Sequence, residues 1–160
     1  MSPSAAMTLR ENAVSGGVSA KIPKASRLLR HADFRLVYEQ GRRHFSANFT
    51  AFYRANITEK SPRIGYTVSR ALGGAVDRNR MKRRLREATR ACWAGFRPTF
   101  AVDVVVNPKK TVLATDFAVL TAEMQKALTV IEKAANSGQA NPRPVENVSR
   151  HKPRARKEQR

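Results

Sequence analysis

The segment over residues 76–93 constrains the fold more than any other part of this chain. Met81, Leu85, Ala88 and Cys92 are spaced i, i+4, i+7 and i+11, which places them on one side of an α-helix. The remaining surface of that helix is almost entirely cationic. A helix of this kind must bury its apolar stripe against the body of a domain. We therefore predict a docked helix that presents its basic side chains outward.

The charge of this region is strongly one-sided, because residues 63–90 contain only two acidic side chains, Asp77 and Glu87. Nine basic residues stand against them: Arg63, Arg70, Arg78, Arg80, Lys82, Arg83, Arg84, Arg86 and Arg90. Like charges one turn apart destabilise a free helix by about 0.2–0.5 kcal/mol per pair, and phosphates would neutralise them. Arginine predominates, and its planar guanidinium binds phosphate oxygens in bidentate fashion. The alternative is a solvated face without a partner, although such faces normally mix both signs.

The composition of the whole chain agrees with a polyanionic partner. Lys and Arg number 31 against 12 Asp and Glu, which gives a net charge of +19 over 160 residues. This excess favours nucleic acid, with a membrane-surface protein or a merely basic soluble protein as alternatives. We find neither an apolar run long enough to cross a membrane nor a signal-peptide pattern, and we expect a cytoplasmic protein without a membrane partner.

Residues that could carry catalysis or bind a metal are scarce. The single cysteine, Cys92, rules out an internal disulfide and fits the apolar stripe as a small buried hydrophobe. His31, His44 and His151 have no metal-ligand spacing. Asp103 stands alone in an apolar run, and no pair of carboxylates suggests a protein nuclease. We expect no catalytic residue, and no metal or other cofactor held by this chain alone.

The remaining pattern predicts an α+β domain in the order α-β-β-α-β-α, with a small mixed β-sheet and helices packed on one side of it. The helices are expected at residues 32–40, 76–93 and 116–135, and the strands at 45–54, 63–69 and 100–106. The last helix carries an apolar stripe of Phe117, Leu120, Met124, Leu128 and Ile131, and Thr115 or Asp116 can cap it. The third strand is apolar except for Asp103, which is typical of a central strand covered on both faces.

The ends of the chain differ from this patterned region. We expect a disordered N-terminal tail over residues 1–24, a domain over 25–135 and a disordered basic C-terminal tail over 136–160.

Gly73-Gly74 precedes the basic helix. These glycines fit two interpretations equally, a backbone approach to phosphate and a plain turn that needs a positive φ.

A longer match adds specificity to the basic segment. Residues 63–90, RIGYTVSRALGGAVDRNRMKRRLREATR, closely resemble the signature of the bacterial ribonuclease P protein subunit. The matching positions are Val68-Ser69-Arg70, Gly73, Ala75-Val76, Arg78-Asn79-Arg80, Lys82-Arg83 and Arg86-Glu87. Upstream, RLLRHADFRLVYEQGRRHFSANFTAFYR resembles the first helix and strand of that family, and the resemblance covers residues 27–134.

The resemblance implies a subunit of an endoribonuclease ribonucleoprotein, in which a catalytic RNA uses Mg²⁺ to remove the 5′ leader of precursor tRNA. One protein would bind one RNA, and the RNA would carry the chemistry. The residues implied to bind the catalytic RNA are Arg78, Asn79, Arg80, Lys82, Arg83 and Arg86. Those implied to hold the single-stranded leader, in a cleft between the first helix and the sheet, are Phe34, Tyr38, Tyr53, Ser69 and Arg70.

The family also implies a left-handed crossover between parallel strands, in a fold like that of the second domain of ribosomal protein S5. The chain departs from the family pattern twice, with Arg70-Ala71 where two lysines are common and Gly74 where asparagine is usual.

Exposed aromatic side chains suit single-stranded RNA because every base offers a π-face, and core packing is the alternative for each of them. The alternative functions are a ribosomal or RNA-chaperone protein and a DNA-binding regulator, the latter without a helix-turn-helix pattern to support it.

Overall fold

The computed structural model of the protein describes residues 21–138 and 140. Within these residues the α-helices are α1 (His31–Gln40), α2 (Ala75–Trp93) and α3 (Phe117–Asn136). The strands are β1 (Arg42–Phe45), β2 (Phe49–Ala55), β3 (Arg63–Tyr66) and β4 (Val102–Pro108). Short 3₁₀ turns lie at Lys24–Ser26, Arg70–Leu72 and Lys110–Leu113. The predicted α+β class is confirmed.

The strands form one mixed sheet in the order β1-β2-β4-β3. β2 pairs antiparallel with both β1 and β4, whereas β3 pairs parallel with β4. The crossover between the parallel strands is α2. β4 is central, and Val104, Val105 and Val106 are all buried although their side chains alternate between the two faces. The prediction of a central strand covered on both sides is confirmed.

The prediction of a single strand over residues 45–54 is wrong, because a hairpin interrupts it. Ser46 donates its backbone N–H to the carbonyl of Phe49 at 2.9 Å, and β1 returns along β2. β1 can begin directly after α1 because Gly41 has no side chain. A Cβ at that position would overlap the carbonyl oxygen of Val37. The fold therefore gains an edge strand that the apolar pattern did not reveal.

The helices lie on both faces of the sheet, and the prediction that they share one side is wrong. Val104 and Val106 point into the larger core, together with the stripe of α2 and the apolar side of α3. Val105 points the opposite way and packs with Val37 of α1 and with Leu28. α1 therefore covers the second face, and the sheet separates it from the basic helix.

The domain extends slightly beyond its predicted ends. Ile22 is buried in the larger core, although residues 1–24 were predicted to form a tail. At the other end, Ala140 is buried and its carbonyl accepts the N–H of Ala55 at 2.7 Å. The remaining predicted tail, at residues 1–20, 139 and 141–160, lies outside the described residues.

The last helix follows its predicted apolar stripe with one exception. Leu120, Met124, Leu128 and Ile131 are buried, but Phe117, the first residue of the helix, is 45% exposed. Asp116 stands at the N-cap position without a capping hydrogen bond from its side chain.

Candidate nucleic-acid interface

Helix α2 is fixed to the domain by the apolar stripe that its spacing predicted. Met81, Leu85, Ala88 and Cys92 are all buried, and Thr89 is buried beside them. The Thr89 hydroxyl accepts a hydrogen bond from the Tyr66 hydroxyl at 2.8 Å and donates to the carbonyl of Leu85 at 2.7 Å. This contact links β3 directly to the C-terminal half of α2, so the helix has a fixed orientation on the sheet.

Burial governs the protonation of two groups at this junction. It raises the pKa of Tyr66 to about 12, against smaller opposing effects of the hydrogen bond with Thr89 and the charge of Arg86. It also raises the pKa of the Cys92 thiol to about 11. Both groups are neutral at physiological pH, and Cys92 is a buried thiol rather than a nucleophile.

The opposite side of α2 carries the predicted RNA-binding residues. Asn79, Arg80, Arg83 and Arg86 are exposed, while Arg78 and Lys82 are half-buried at the edges of the helix. Arg84 is directed differently, because its Nη2 donates to the carbonyl of Thr115 at the start of α3. The structure thus brings all six predicted residues onto one helix and assigns the neighbouring Arg84 to packing between helices.

These cations face few acidic groups. Glu87 forms an ion pair with Arg90 at 2.7 Å, one turn along the same helix. Within residues 21–138 and 140, no ion pair neutralises the other basic side chains of α2. The helix therefore presents concentrated positive charge, which is the electrostatic requirement for binding a polyphosphate backbone.

The turn before α2 places Ser69 and Arg70 at the end of β3, both exposed. The Ser69 hydroxyl accepts the N–H of Ala71 at 3.3 Å and so caps the short turn at Arg70–Leu72. Gly73 has a φ of 149°, a conformation that side chains disfavour, so the turn itself explains this glycine. Gly74 is the N-cap of α2, and a Cβ there would meet nothing within 4 Å.

An aromatic cluster lies on the second face of the sheet beside α1, and we call it the aromatic cleft, after the cleft that the resemblance implies. The Tyr38 hydroxyl donates to Oδ1 of Asn107 at 2.8 Å, and its ring packs edge-to-face with Phe52, with centroids 4.9 Å apart. The guanidinium of Arg43 lies 5.3 Å from the centre of the Phe52 ring. Aromatic rings next to a cation are the combination that binds unstacked bases and their phosphates.

The prediction that Tyr53 lies in this cleft is wrong. Tyr53 pairs with Val104, its side chain points into the larger core beneath α2 and α3, and it is only 6% exposed. Its neighbour Phe52 takes the cleft position, since successive side chains of a strand point to opposite faces. Phe34 packs in the small cluster with Val37 and Val105, so it contributes to the core beside the cleft. No hydrogen bond among the described residues joins Ser69 or Arg70 to either aromatic residue of α1.

The cleft also contains residues that the sequence did not suggest. Phe45 pairs with Thr50, and Arg43 pairs with Phe52, so all four side chains point to the face that α1 covers. Phe45 is 70% exposed at the edge of this face. Alternation through the single strand predicted over residues 45–54 would place Phe45 on the face of Tyr53, and the hairpin changes that alternation.

Asp103, the isolated carboxylate, belongs to a structural network rather than to a catalytic site. Nε and Nη2 of Arg63 donate to its two oxygens, and Asn56 Nδ2 donates to Oδ2 at 2.9 Å. Arg63 Nη1 also reaches Asp33 of α1 at 3.3 Å. The hydrogen bond with Asp103 is the largest cause of the raised pKa of Arg63. This network holds α1 against the sheet and thereby shapes the cleft.

The described residues contain no group of three or more His, Cys, Asp and Glu side chains that could hold a metal ion. Burial, followed by the charge of Lys126, lowers the pKa of His44. Within the same part of the chain, no helix combines the length and apolar character needed to span a bilayer.

Comparison with known proteins gives consistent matches. The family model described as Ribonuclease P matches residues 22–132, which is more than half of the chain. The ribonuclease P protein component of Finegoldia magna is 33% identical over 113 residues, covering 71% of this chain and 94% of the relative. That of Acidothermus cellulolyticus is 33% identical over 117 residues, covering 72% and 96%.

Solved structures match at the level of the fold as well. The RNase P protein from Thermotoga maritima superposes with a TM-score of 0.58 at 28% identity, covering 66% of this chain and 96% of that protein. The Staphylococcus aureus RNase P protein gives a TM-score of 0.58 at 26% identity, covering 67% and 95%. In each case nearly the whole relative is matched, so the similarity extends over the complete domain.

Proposed function

The chain belongs to the ribonuclease P protein family, and from this we propose that it binds the catalytic RNA of ribonuclease P through α2 and the 5′ leader of precursor tRNA through the aromatic cleft. Its family supplies the protein component of an endoribonuclease ribonucleoprotein that acts in tRNA processing. The observation that carries the proposal is the separation of two surfaces by one sheet. A cationic helix lies on one side and aromatic rings beside a cation lie on the other.

The cationic helix suits a structured RNA. The proposed contacts are Arg78, Asn79, Arg80, Lys82, Arg83 and Arg86. Their helix is docked by its buried stripe, so the backbone positions that carry these charges are fixed before binding, and only the side chains have to be ordered. A folded RNA offers phosphates from several strands at once, which guanidinium groups spaced along one helix can engage together.

The aromatic cleft suits a single strand. Phe52, Tyr38 and the exposed Phe45 offer ring surfaces to bases, and Arg43 offers a cation to the backbone. Stacking on an aromatic side chain contributes about 1–3 kcal/mol per base and tolerates different sequences. Such a surface favours a leader whose sequence varies from one precursor to another. Ser69 and Arg70 are proposed to contact the RNA next to the turn before α2.

The chemistry in this proposal is carried by the RNA. Bound Mg²⁺ would supply an activated water and stabilise charge on the scissile phosphate, and it would act through the RNA subunit. The residues of this chain bind and orient the two RNAs, so that the leader and the tRNA body are presented together. We propose one protein for each catalytic RNA.

Reconstitution with the cognate catalytic RNA at low Mg²⁺ tests the proposal. The protein is expected to accelerate removal of the leader from precursor tRNA and to cleave nothing by itself. An Arg78→Ala/Arg80→Ala variant should lose the acceleration, whereas Arg97→Ala, which changes an exposed arginine outside α2, should retain it. A protein that binds RNA without accelerating leader removal would instead be a ribosomal or RNA-chaperone protein.

A further inference from the structure

A cavity of about 520 Å³ opens at the edge of the sheet, between the N-terminal segment, β3 and α2. We call it the edge groove. It shares Phe34 with the cluster that contains Tyr38 and Phe52, but neither of those two residues lines it, and α2 forms one of its walls. Its walls and rim combine two chemistries. The apolar lining consists of Ile22, Leu28, Leu29, Phe34 and Ile64, and the basic lining consists of Lys21, Arg27, Lys82, Arg86 and Arg90.

The N-terminal segment forms the outer wall because it runs alongside β3. Leu28 donates its N–H to the carbonyl of Ile64 at 2.9 Å, and Arg27 forms a parallel bridge with the same residue. Ile22 and Leu28 are buried and hold this segment to the domain. The wall is therefore part of the folded structure.

The lining of the groove includes a close packing contact at Gly65. A Cβ on Gly65 would lie 2.5 Å from Cζ of Phe34 and 3.0 Å from Cβ of Leu28. Only glycine lets the Phe34 ring and the N-terminal wall approach β3 this closely. The Phe34 ring thus contributes apolar surface to a cavity that basic side chains also line.

The charge of the rim identifies the kind of occupant. Five basic side chains surround the groove, and its one acidic residue, Glu87, is already paired with Arg90. Within residues 21–138 and 140, neither Lys82 nor Arg86 forms an ion pair. An occupant must therefore combine a flat apolar body with a negative group, as a nucleotide does.

We propose that the edge groove holds one unpaired nucleotide of the catalytic RNA, with its base against the apolar walls and its phosphate at Arg27 and Arg86. The proposal rests on the function proposed above, because α2 supplies both the groove wall and the RNA-binding helix. Cavities of about 300–1,000 Å³ suit ligands of this size. A base within a duplex could not enter, so the nucleotide must come from a loop or bulge, where bases can be splayed out.

Two single substitutions test the two halves of the groove. Leu29 is 70% exposed and Arg27 is exposed, so replacing either by alanine leaves the core intact. Leu29→Ala and Arg27→Ala should each weaken binding of the catalytic RNA by about fivefold. The loss of affinity caused by Leu29→Ala should not change with salt concentration. The loss caused by Arg27→Ala should decrease as the salt concentration rises. Ile57→Ala and Arg97→Ala, which remove an exposed apolar side chain and an exposed arginine elsewhere, should bind normally.

Crosslinking identifies the occupant directly. With p-benzoyl-L-phenylalanine in place of Leu29, irradiation of the complex with catalytic RNA should give a crosslink concentrated at one unpaired nucleotide. Crosslinks to paired regions or to precursor tRNA would overturn the proposal, and so would unchanged affinity of both alanine variants. If the unaltered protein failed to bind catalytic RNA, the function proposed above would fail. If it bound the RNA and only the tests of the groove failed, the function proposed above would stand and the edge-groove proposal alone would fail.

Discussion

Arg63 and Asp103 form a bidentate pair across the two parallel strands of the sheet. Nε donates to Oδ1 and Nη2 to Oδ2, both at 2.8 Å, and the two residues are directly aligned in the register of β3 and β4. The side chains are only 12% and 2% exposed. A carboxylate in the most buried strand is thus accommodated because a fixed guanidinium neutralises it. The same guanidinium reaches Asp33, so one residue connects the sheet to α1.

Arg63→Ala should destabilise the protein strongly, because it leaves Asp103 buried without its cation. Removing one partner of a buried ion pair costs about 3–5 kcal/mol, and urea unfolding would measure the loss. Arg35→Ala is the matched control, since it removes an arginine from an exposed pair with Glu39 and should cost less than about 1 kcal/mol. Equal small losses for the two variants would show that the buried network does not stabilise the fold.

Tyr66 should make stability depend on pH in the alkaline range. Its pKa rises from 10.0 to about 12 in the folded protein, so folding favours the neutral phenol. This contribution is complete below pH 10 and is lost as the pH rises from 10 towards 12. Tyr66→Phe should abolish that pH dependence. In a pH titration followed by tyrosinate absorbance, it should also remove the step at the highest pH, whereas Tyr38→Phe should leave both in place. If the absorbance step at the highest pH remained in Tyr66→Phe, the raised pKa would belong to another residue.

The parts of the fold that follow from periodicity were predictable. Met81, Leu85, Ala88 and Cys92 recur at helical spacing because burial on one side selects them, and the structure buries all of them. β4 was predictable for a related reason, since a strand covered on both faces is apolar at nearly every position. Both features depend on residues that are close in sequence.

The parts that depend on pairing between distant segments were not predictable. Tyr53 and Phe52 are adjacent, and which of them faces α1 is decided by the register of β2 on β4. The face of Phe45 depends on where the hairpin turns. The edge groove requires the N-terminal segment to run beside β3, and local composition suggested a tail up to residue 24. The sequence therefore predicted the basic helix well and the aromatic surface only in part.

Arg80→Ala should weaken binding to the catalytic RNA and reduce its salt dependence. Arg80 is exposed on α2, and each phosphate contact that is lost should lower the slope of log K against log salt by about one. Titrations at several salt concentrations would measure the slope, with Arg97→Ala as the control. If Arg80→Ala lowered affinity without changing the slope, this arginine would not be in contact with phosphate.

Phe52→Ala should weaken binding of precursor tRNA more than binding of mature tRNA. Phe52 packs against Tyr38 and beside Arg43 on the face of the sheet that α1 covers, so its ring is the proposed stacking surface for the leader. Loss of one stacked base should reduce the affinity for leader-containing substrate by about 1–3 kcal/mol. Dissociation constants of the reconstituted complex for the two RNAs would measure the difference.

Tyr53→Phe is the matched control for this experiment. It changes the adjacent residue, keeps an aromatic ring in the larger core and leaves the cleft surface unaltered, so the preference for precursor over mature tRNA should be unchanged. Loss of that preference in Tyr53→Phe but not in Phe52→Ala would place the leader on the opposite face from α1. Equal losses for precursor and mature tRNA in Phe52→Ala would show that its ring supports the complex without contacting the leader.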